Sequence, residues 1–417
     1  MMPSNSIKRL KMGNHAISWS KTGIFLLCAG ALLLLLTCTS QSPDLIISAK
    51  NNLDLTRQNE TIELEWYKVD SLFGGIRPSR LGIVDNQTGN QVVYQAIDED
   101  QDGNYDLLIF QTTFEPLAIK SFKISRQSRV SGEDTEPLVY GRFVSEREDD
   151  FAWENDRIAY RMYGPALGKT GTVSSGIDVW TKRVKYLVID KWYADGEDSY
   201  HEDHGEGLDF YKVGKSRGCG GLGIWQDGKM YTSHTFDSWK IIAEGPIRFI
   251  FELSYAPSAV GSNQVSEVKR ISLDSGQNLN RIESIFRFKR VVEKLRYAAG
   301  LAIHEKQGIG ELVTDKETGY LSFWEPGTEG NGHLGTGIIV DPKKIIDITA
   351  DAHHHLVVTK TVDLNNKAVY YAGAGWDNSG DFPDAKTWHI YVSEFALRLA
   401  NPIEVSVKSV TASNELQ

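Results

Sequence analysis

The sequence predicts an all-β protein, and three observations lead to that class. Short apolar or alternating runs separated by turn residues recur along the chain, as at 62–66 and 247–253. Long amphipathic helical patterns are scarce. The chain has 10 Trp, 17 Tyr and 16 Phe, and aromatic residues favour strands. Many short strands at this spacing are typical of a sandwich or barrel, not of a doubly wound α/β fold.

The remaining predicted strands lie on both sides of a polar stretch that divides the chain into two parts. They lie at 91–94, 107–110, 184–189, 279–286, 355–358, 388–392 and 403–407. A polar stretch at 126–137 predicts a linker. It separates a small N-terminal β-module at 45–125 from a larger β-domain at 138–410. The sequence shows no internal repeat.

The N-terminal segment predicts export. Residues 1–37 contain four basic residues and no acid, and an uninterrupted apolar run at 23–36 is too short to span a bilayer well. We therefore interpret 1–37 as a signal peptide. The residues before Cys38 resemble a bacterial lipoprotein box, and the alternative is an ordinary signal peptide with an incidental cysteine. The expected location is the periplasm or the outer-membrane surface, with membrane attachment only through a lipid on Cys38.

Cysteine content and charge restrict the remaining possibilities. Cys28 would leave with the signal peptide and Cys38 would carry lipid, so Cys219 would remain alone and no intramolecular disulfide could form. Lys and Arg number 45 against 55 Asp and Glu, for a net charge of −10. This balance argues against a nucleic-acid partner. An acidic ligand would need a local basic pocket.

An acidic loop at 98–106 is one candidate cation site. Asp98, Asp100 and Asp102 alternate before Gly103, and Asp106 follows. Carboxylates in this pattern can surround a hard cation such as Ca²⁺. The loop lacks the distal Glu and the flanking helices of an EF-hand. An acidic hairpin tip is the simpler interpretation.

The segment 199–236 has the densest set of ionisable residues. His201, His204, Tyr211, Lys212 and Arg217 lie among several glycines, which let a backbone approach a ligand closely. Long polar loops of this kind are common places for sites. On an extended chain His204 would share a face with the acid two residues later. The alternative for each residue is a solvated loop group.

A histidine run at 353–355 is the second candidate. At a period of two, Asp351, His353 and His355 would face one way and His354 the other. Adjacent imidazoles suit a metal such as Zn²⁺ or proton transfer. The alternative is a surface histidine run.

Two aromatic blocks suit a sugar ligand, because ring faces stack on sugars and planar polar groups bind hydroxyls. The blocks at 149–165 and 371–382 contain Trp153, Arg161, Tyr163 and Trp376. Trp225 ends the glycine-rich segment and is a further stacking candidate. Alternating Arg and Tyr residues are also common in ordinary strands.

Four segments together resemble a known family. The segments are 150–160, 203–212, 216–221 and 372–376. They are similar to exported proteins from polysaccharide-utilisation loci of Bacteroidetes, a family labelled only as a domain of unknown function. The resemblance implies a galactose-mutarotase-like β-supersandwich with a small N-terminal β-module. It also implies a dehydratase active on ulvan-type oligosaccharides, which removes water from the non-reducing-end uronic acid to leave a 4,5-unsaturated uronyl residue.

This elimination needs a base, a proton donor and a positive charge beside the carboxylate. The candidate catalytic residues are His204 or His353 as base, Tyr211 (or Tyr163) as acid, and Arg217 (or Lys212) as the carboxylate clamp. The candidate substrate-binding residues are Trp153, Arg161, Tyr163, Lys212, Trp225 and Trp376. A divalent metal, Zn²⁺ or Ca²⁺, would be held by His201, His355 and Asp351, and no organic cofactor is expected.

The expected partner is therefore an acidic oligosaccharide. Three alternatives remain open at this point. They are a polysaccharide lyase that cleaves the glycan chain, a mutarotase-type sugar epimerase, and a non-catalytic surface lipoprotein that binds glycans.

Overall fold

A computed structural model describes residues 44–127, 136–290, 295–304, 308–328, 330–360 and 366–410. The predicted signal peptide, Cys38 and most of the predicted linker lie outside these residues. Within them, no helix is long and apolar enough to span a membrane.

The described chain is mostly strand. In chain order the first strands are β1 (Asp44–Lys50), β2 (Arg57–Glu65), β3 (Leu81–Asp85), β4 (Tyr94–Ile97), β5 (Leu107–Phe114), β6 (Ile119–Arg126), β7 (Val139–Val144), β8 (Asp150–Asn155), β9 (Ile158–Met162), β10 (Ile177–Lys182), β11 (Gly207–Leu208), β12 (Cys219–Gln226) and β13 (Lys229–Tyr231). The later strands are β14 (Ser238–Ala243), β15 (Arg248–Val260), β16 (Asn263–Asp274), β17 (Leu279–Phe288), β18 (Arg296–Ala302), β19 (Glu311–Asp315), β20 (Tyr320–Trp324), β21 (Leu334–Val340), β22 (Ile345–Ala350), β23 (His354–Lys360), β24 (Lys367–Trp376) and β25 (Glu404–Val410). The helices are α1 (Trp66–Phe73), α2 (Pro165–Gly168), α3 (Ile189–Asp195), α4 (Glu197–Tyr200) and α5 (Ala385–Ala400).

The N-terminal module has its own core and two small antiparallel sheets. One sheet has the order β25-β1-β6-β3 and the other β2-β5-β4. Their inner faces, with α1, bury an apolar cluster that includes Ile47, Phe110 and Phe122. The predicted boundary differs at one point. Strand β25, assigned by sequence to the large domain, pairs with β1 along its whole length, from Asp44 opposite Val410 to Lys50 opposite Glu404.

The large domain is a sandwich. One layer is an eight-stranded sheet with the order β14-β15-β16-β17-β24-β21-β20-β19. Facing it are two five-stranded sheets, β11-β10-β9-β8-β7 and β13-β12-β18-β23-β22. Residues from all three sheets, such as Trp153, Tyr297 and Ile338, form one buried apolar core. The all-β class and the layered sandwich predicted from the sequence are confirmed.

Two predicted strands are wrong. Residues 388–392 lie in α5, whose buried positions Ala385, Trp388, Val392 and Phe395 follow helical spacing. The Asp384 side chain caps this helix by accepting a hydrogen bond from the Thr387 amide at 2.8 Å. The β-branched and aromatic residues of this segment favoured a strand, but packing of one helix face against the large sheet stabilises the helix instead.

The second wrong strand is 184–189, which bends and then enters α3. The buried Glu154 carboxylate accepts hydrogen bonds from the amides of Val188 and Ile189, each at 2.8 Å. These amides are the unpaired donors at a helix start, so a side chain from β8 sets the local structure.

Candidate functional site

One edge of the large domain collects ionisable side chains from strand ends and a loop. His304 follows β18, Glu325 follows β20, and His354 begins β23. Ala302 pairs with His354 in register, and the His304 ring lies edge-on to Tyr211, with ring centroids 5.2 Å apart. We call Tyr211, His304 and Glu325, together with His354, which is joined to them through the backbone pairing of β18 with β23, the edge cluster.

His304 and Glu325 form a largely buried pair. His304 Nδ1 lies 2.7 Å from Glu325 Oε2, and His304 Nε2 donates to the Lys212 carbonyl oxygen at 2.7 Å. Burial lowers the pKa of His304, but the hydrogen bond and charge of Glu325 together with the bond to the Lys212 carbonyl outweigh burial, and the net shift is upward. Burial raises the pKa of Glu325. The pair therefore keeps its shared proton at neutral pH, and Glu325 Oε1 is buried without a hydrogen-bond partner.

The Tyr211 hydroxyl is the second unusual group of the edge cluster. It is buried and has no hydrogen-bond partner among the described residues. Burial, and then the charge of Glu325, raise the pKa of Tyr211 well above 10.0. The phenol therefore stays protonated at neutral pH. A buried donor without an acceptor costs stability, which is a common sign of a functional group.

His354 is the group of the edge cluster best prepared to accept a proton. Its Nδ1 lies 2.9 Å from Asp351 Oδ1, and its Nε2 is buried without a partner. Burial lowers the pKa of His354, and the nearby Arg217 charge lowers it further, against the opposing effect of Asp351. The ring is therefore neutral at pH 7. With Nδ1–H donated to Asp351, the Nε2 lone pair is available as a base.

The structure corrects the predicted facing of the histidine run. Strand β23 begins only at His354, and Asp351 lies in the bend before it. Strand alternation therefore does not apply to Asp351 and His353, and the Asp351 carboxylate binds His354. His353 is exposed, and its carbonyl accepts a hydrogen bond from the Ile303 amide at 2.8 Å, next to His304. His355 packs its ring on Phe323, with centroids 4.7 Å apart.

The two predicted histidines of the glycine-rich segment lie in an exposed loop. His204 is exposed, and no hydrogen bond from its ring is found among the described residues. His201 Nδ1 lies 2.8 Å from the Asp209 carbonyl oxygen. Glu206, predicted to share a face with His204, instead binds the side chains of Lys191 and Trp192 at 2.6 and 3.0 Å.

The predicted metal ligands are not brought together. Among the described His, Cys, Asp and Glu residues, one group places its ligand atoms within 4.8 Å of one another, and it consists of Asp98, Asp100 and Asp106. His201, His355 and Asp351 do not form such a group, because each is held by a different neighbour. In the acidic loop, Asp98 and Asp106 accept hydrogen bonds from the amides of Gly103 and Glu99. These bonds give the carboxylates a structural role as hairpin caps.

Three predicted substrate-binding residues are interior. Trp153 is 0% exposed, stacks on Tyr160 and donates to Asn280 at 2.7 Å, so no ring face is open to a sugar. Arg161 lies in a buried ionic cluster, with Nη2 at 2.5 Å from Asp178 and 2.8 Å from Asp209. The Tyr163 hydroxyl donates to the same Asp178 carboxylate at 3.1 Å. The polar groups of these residues are taken by interior partners, so the aromatic-polar pattern reflects packing.

The remaining predicted residues occupy three different environments. Trp225 is half-buried against a small apolar cluster, and the ring of buried Trp376 is covered by the Arg183 guanidinium, 4.8 Å from its centroid. Lys212 is exposed beside the edge cluster. Arg217 is 1% exposed and donates to the hydroxyls of Ser174 and Ser175. Burial lowers its pKa to about 10, against the opposing charge of Glu267.

A family model described as "Domain of unknown function (DUF4861)" matches residues 49–405. The chain belongs to the DUF4861 family. "Uncharacterized protein P7" of Formosa agariphila is 38% identical over 404 residues, which cover 92% of this chain and 99% of that protein. The sequence resemblance to a family of unknown function is thus confirmed at the level of the family.

Two solved structures are distantly similar to this DUF4861 chain. A protein in glycosyl hydrolase family 38 from Enterococcus faecalis gives a TM-score of 0.45 at 8% identity and covers 88% of this chain. An α-mannosidase from Enterococcus faecalis V583 gives 0.40 at 8% identity, again over 88%. The chain spans about half the length of these structures, 47% and 46%. Likenesses this distant assign no activity to the DUF4861 chain.

Sequence reasoning missed His304 and Glu325 as site residues of this DUF4861 protein, although a signal was present. Each directly follows an apolar strand, at 297–303 and 320–324. Polar groups at strand ends are held by the sheet yet lie at its rim, where a ligand can approach. The missing information was that β18 and β20, which belong to different sheets, end near each other.

Proposed function

We propose that the edge cluster is an acid–base centre that eliminates water from the uronic acid at the non-reducing end of an acidic oligosaccharide. The observation that carries the proposal is the combination of an unpartnered, protonated Tyr211 hydroxyl with the buried His304–Glu325 pair beside it. Groups with strongly shifted pKa values and no structural partner are typical of catalytic sites. The carbohydrate class comes from the family resemblance.

In this proposal each residue has a distinct role. His354 Nε2 takes the proton from the carbon next to the carboxylate, and the electron pair of that C–H bond becomes the new C=C bond. The C–O bond on the adjacent carbon breaks, and the departing hydroxyl takes the Tyr211 proton and leaves as water. Solvent then returns a proton from His354 to Tyr211, so the net reaction releases one water.

The developing negative charge on the substrate carboxylate needs a nearby positive charge. The exposed Lys212 side chain supplies it at the same edge, whereas the His304–Glu325 pair is neutral overall and holds the Lys212 backbone through the His304 Nε2 hydrogen bond. His304 itself is a poor base in this state, because one nitrogen donates to the Lys212 carbonyl and the other faces Glu325. This arrangement also disfavours a mutarotase-type epimerase, in which a histidine and a carboxylate would act separately on the sugar.

The decisive experiment incubates the protein with saturated and unsaturated uronyl oligosaccharides and follows ultraviolet absorbance together with product mass. Loss of one water from the saturated substrate, without a change in chain length, supports the dehydratase. Chain cleavage indicates a polysaccharide lyase instead. Binding without any change in mass indicates a glycan-binding protein and overturns the proposed activity.

A further inference from the structure

A cleft lies away from the edge cluster, whose four residues are not part of its lining. It has a volume of about 690 Å³ and is enclosed by β2 of the N-terminal module, the outer face of the eight-stranded sheet, and α5 with the segment after it. This volume is in the usual range of about 300–1,000 Å³ for ligand pockets, and clefts between packed units are frequent binding sites. On β24, Lys367 lines the cleft, whereas Trp376 at the other end of the strand lies nine positions away.

The cleft reverses the charge balance of the chain. The charged residues that line it are the cations Arg57, Arg248, Arg270, Arg281, Arg398 and Lys367, and the acids Glu60, Glu63, Glu99, Asp274 and Glu283. Cations outnumber acids there, although acids exceed cations by ten in the whole chain. Five of the six cations are arginines. The guanidinium is planar with five donors, a shape that matches carboxylate and sulfate groups better than an ammonium does.

Arg281 is the cation of this cleft that is most available to a ligand. Its side chain is 41% exposed, and the structure gives it one acid partner, Glu283. It lies opposite Tyr371 in the strand register, so a guanidinium and an aromatic ring stand side by side on the cleft floor. At the far end, Arg57 and Arg398 share the single carboxylate of Glu60, at 2.6 and 3.7 Å.

The walls complete a surface suited to sugars. Leu399 and Val405 are exposed apolar side chains of the cleft lining, and the Tyr371 ring packs against Phe395, with centroids 5.6 Å apart. Apolar and aromatic surfaces contact the faces of sugar rings, and the lining acids, such as the half-exposed Glu63, accept hydrogen bonds from hydroxyls. A simple anion would use the arginines and leave the apolar wall uncovered.

We propose that this cleft binds a segment of an anionic oligosaccharide, with Arg281 and Tyr371 at its centre, separately from the edge cluster. The carbohydrate class of the ligand rests on the proposed function, whereas the anionic character rests on the cleft itself. Such a site would hold a long substrate on the protein while its end reacts elsewhere, which raises the effective local concentration of that end.

The test measures binding by calorimetry, using an oligogalacturonate as the probe and its methyl-esterified form as the uncharged match. In the wild type we expect two classes of site. Arg281→Glu should weaken the cleft class by about tenfold or more, because it replaces an attractive charge with a repulsive one. Lys240→Glu, an exposed cation change on β14 outside the cleft, should leave both classes unchanged. The esterified probe should lose the cleft class.

The outcomes separate this inference from the proposed function. If Arg281→Glu melts early, Arg281→Gln replaces it, since Lys367 still accompanies Glu283 in that variant. Wild-type binding by a normally melting Arg281 variant, or equal binding of the esterified probe, overturns the inference. In another outcome the wild type shows no turnover of any substrate while Arg281→Glu still loses oligogalacturonate binding. That result supports the cleft and overturns the dehydratase. A cleft variant that keeps full turnover of a short substrate supports two separate sites.

Discussion

Glu325 Oε2 lies 2.7 Å from His304 Nδ1, while the other nitrogen of the same imidazole donates to the Lys212 carbonyl. Both ring nitrogens are thus fixed, and the ring cannot rotate without breaking a hydrogen bond. A histidine held in this way is suited to carry a positive charge at a defined place. The edge-on contact with Tyr211 then fixes where that charge lies relative to the phenol.

Tyr211→Phe should lower kcat by about 10²-fold or more, the usual scale for a lost general acid. The substitution removes only an oxygen that has no hydrogen-bond partner, so the melting temperature should stay the same or rise. Steady-state kinetics and thermal melting of the same preparation measure both. Tyr67→Phe, an exposed tyrosine of α1, is the matched control. Near wild-type turnover of a folded Tyr211→Phe protein would remove Tyr211 from the mechanism.

His304→Gln and His204→Gln compare two histidines that the structure treats differently. Loss of His304 should lower kcat by about 10²-fold, because the hydrogen bond that positions Lys212 beside the substrate charge is lost and Glu325 is left buried without its partner. His204 is exposed, and its replacement should change neither kcat nor melting. Steady-state measurement of kcat for both variants shows which of the two histidines takes part in catalysis. The opposite result, a large loss only in His204→Gln, would return the catalytic role to the residue indicated by the sequence alone.

The class of fold could be predicted because the alternating pattern of a strand is visible within a short stretch of sequence. Alternating runs such as 247–253 and 279–286 become β15 and β17. The failures share one cause, which is tertiary contact. Residues 388–392 have strand-like composition but pack one face on the large sheet as part of α5, and 184–189 yield to the buried Glu154 carboxylate.

The candidate site was predictable in part for a similar reason. Tyr211, Lys212 and His353 lie at the edge cluster, and all come from segments singled out for their density of ionisable groups. Trp153 and Arg161 come from equally unusual segments but are buried. Their prediction as binding residues failed because composition does not distinguish an interior ionic cluster from an open site. His304 and Glu325 are single polar residues after apolar strands, and only the meeting of two sheets makes them a pair.

The pH dependence of catalysis tests His354 as the base. Burial lowers the pKa of His354 from 6.5, so the neutral, active form persists below that pH. We expect kcat/KM to rise with pH along a limb centred below 6.5 and then to level. The Asp351 hydrogen bond opposes this shift, so Asp351→Asn should move the limb to lower pH. His354→Gln should abolish the limb, and a profile unchanged by both substitutions would exclude this base.

Stability should show the matching sign for His354. A histidine whose pKa is lower in the folded state than in the unfolded state binds fewer protons when folded. Its contribution to folding is therefore complete above 6.5 and is lost as the pH falls through the lowered value. Melting curves of the wild type and His354→Gln should converge on acidification from pH 7.

Asp150 should produce a pH dependence of stability with the opposite sign. Burial raises its pKa from 3.8 to about 7, against the nearby charges of Arg161 and Arg147, and Asp150 Oδ1 has no hydrogen-bond partner. Between those two pH values the folded state binds more protons than the unfolded state, so this group makes stability fall as the pH rises and then level above about 7. Asp150→Asn should remove that decline, because an amide does not ionise.

Thermal melting between pH 4 and 8 measures the slope, and Asp227→Asn, at an exposed hairpin tip, should keep it. A wild-type slope in Asp150→Asn would show that another member of the buried cluster around Arg161 carries the proton.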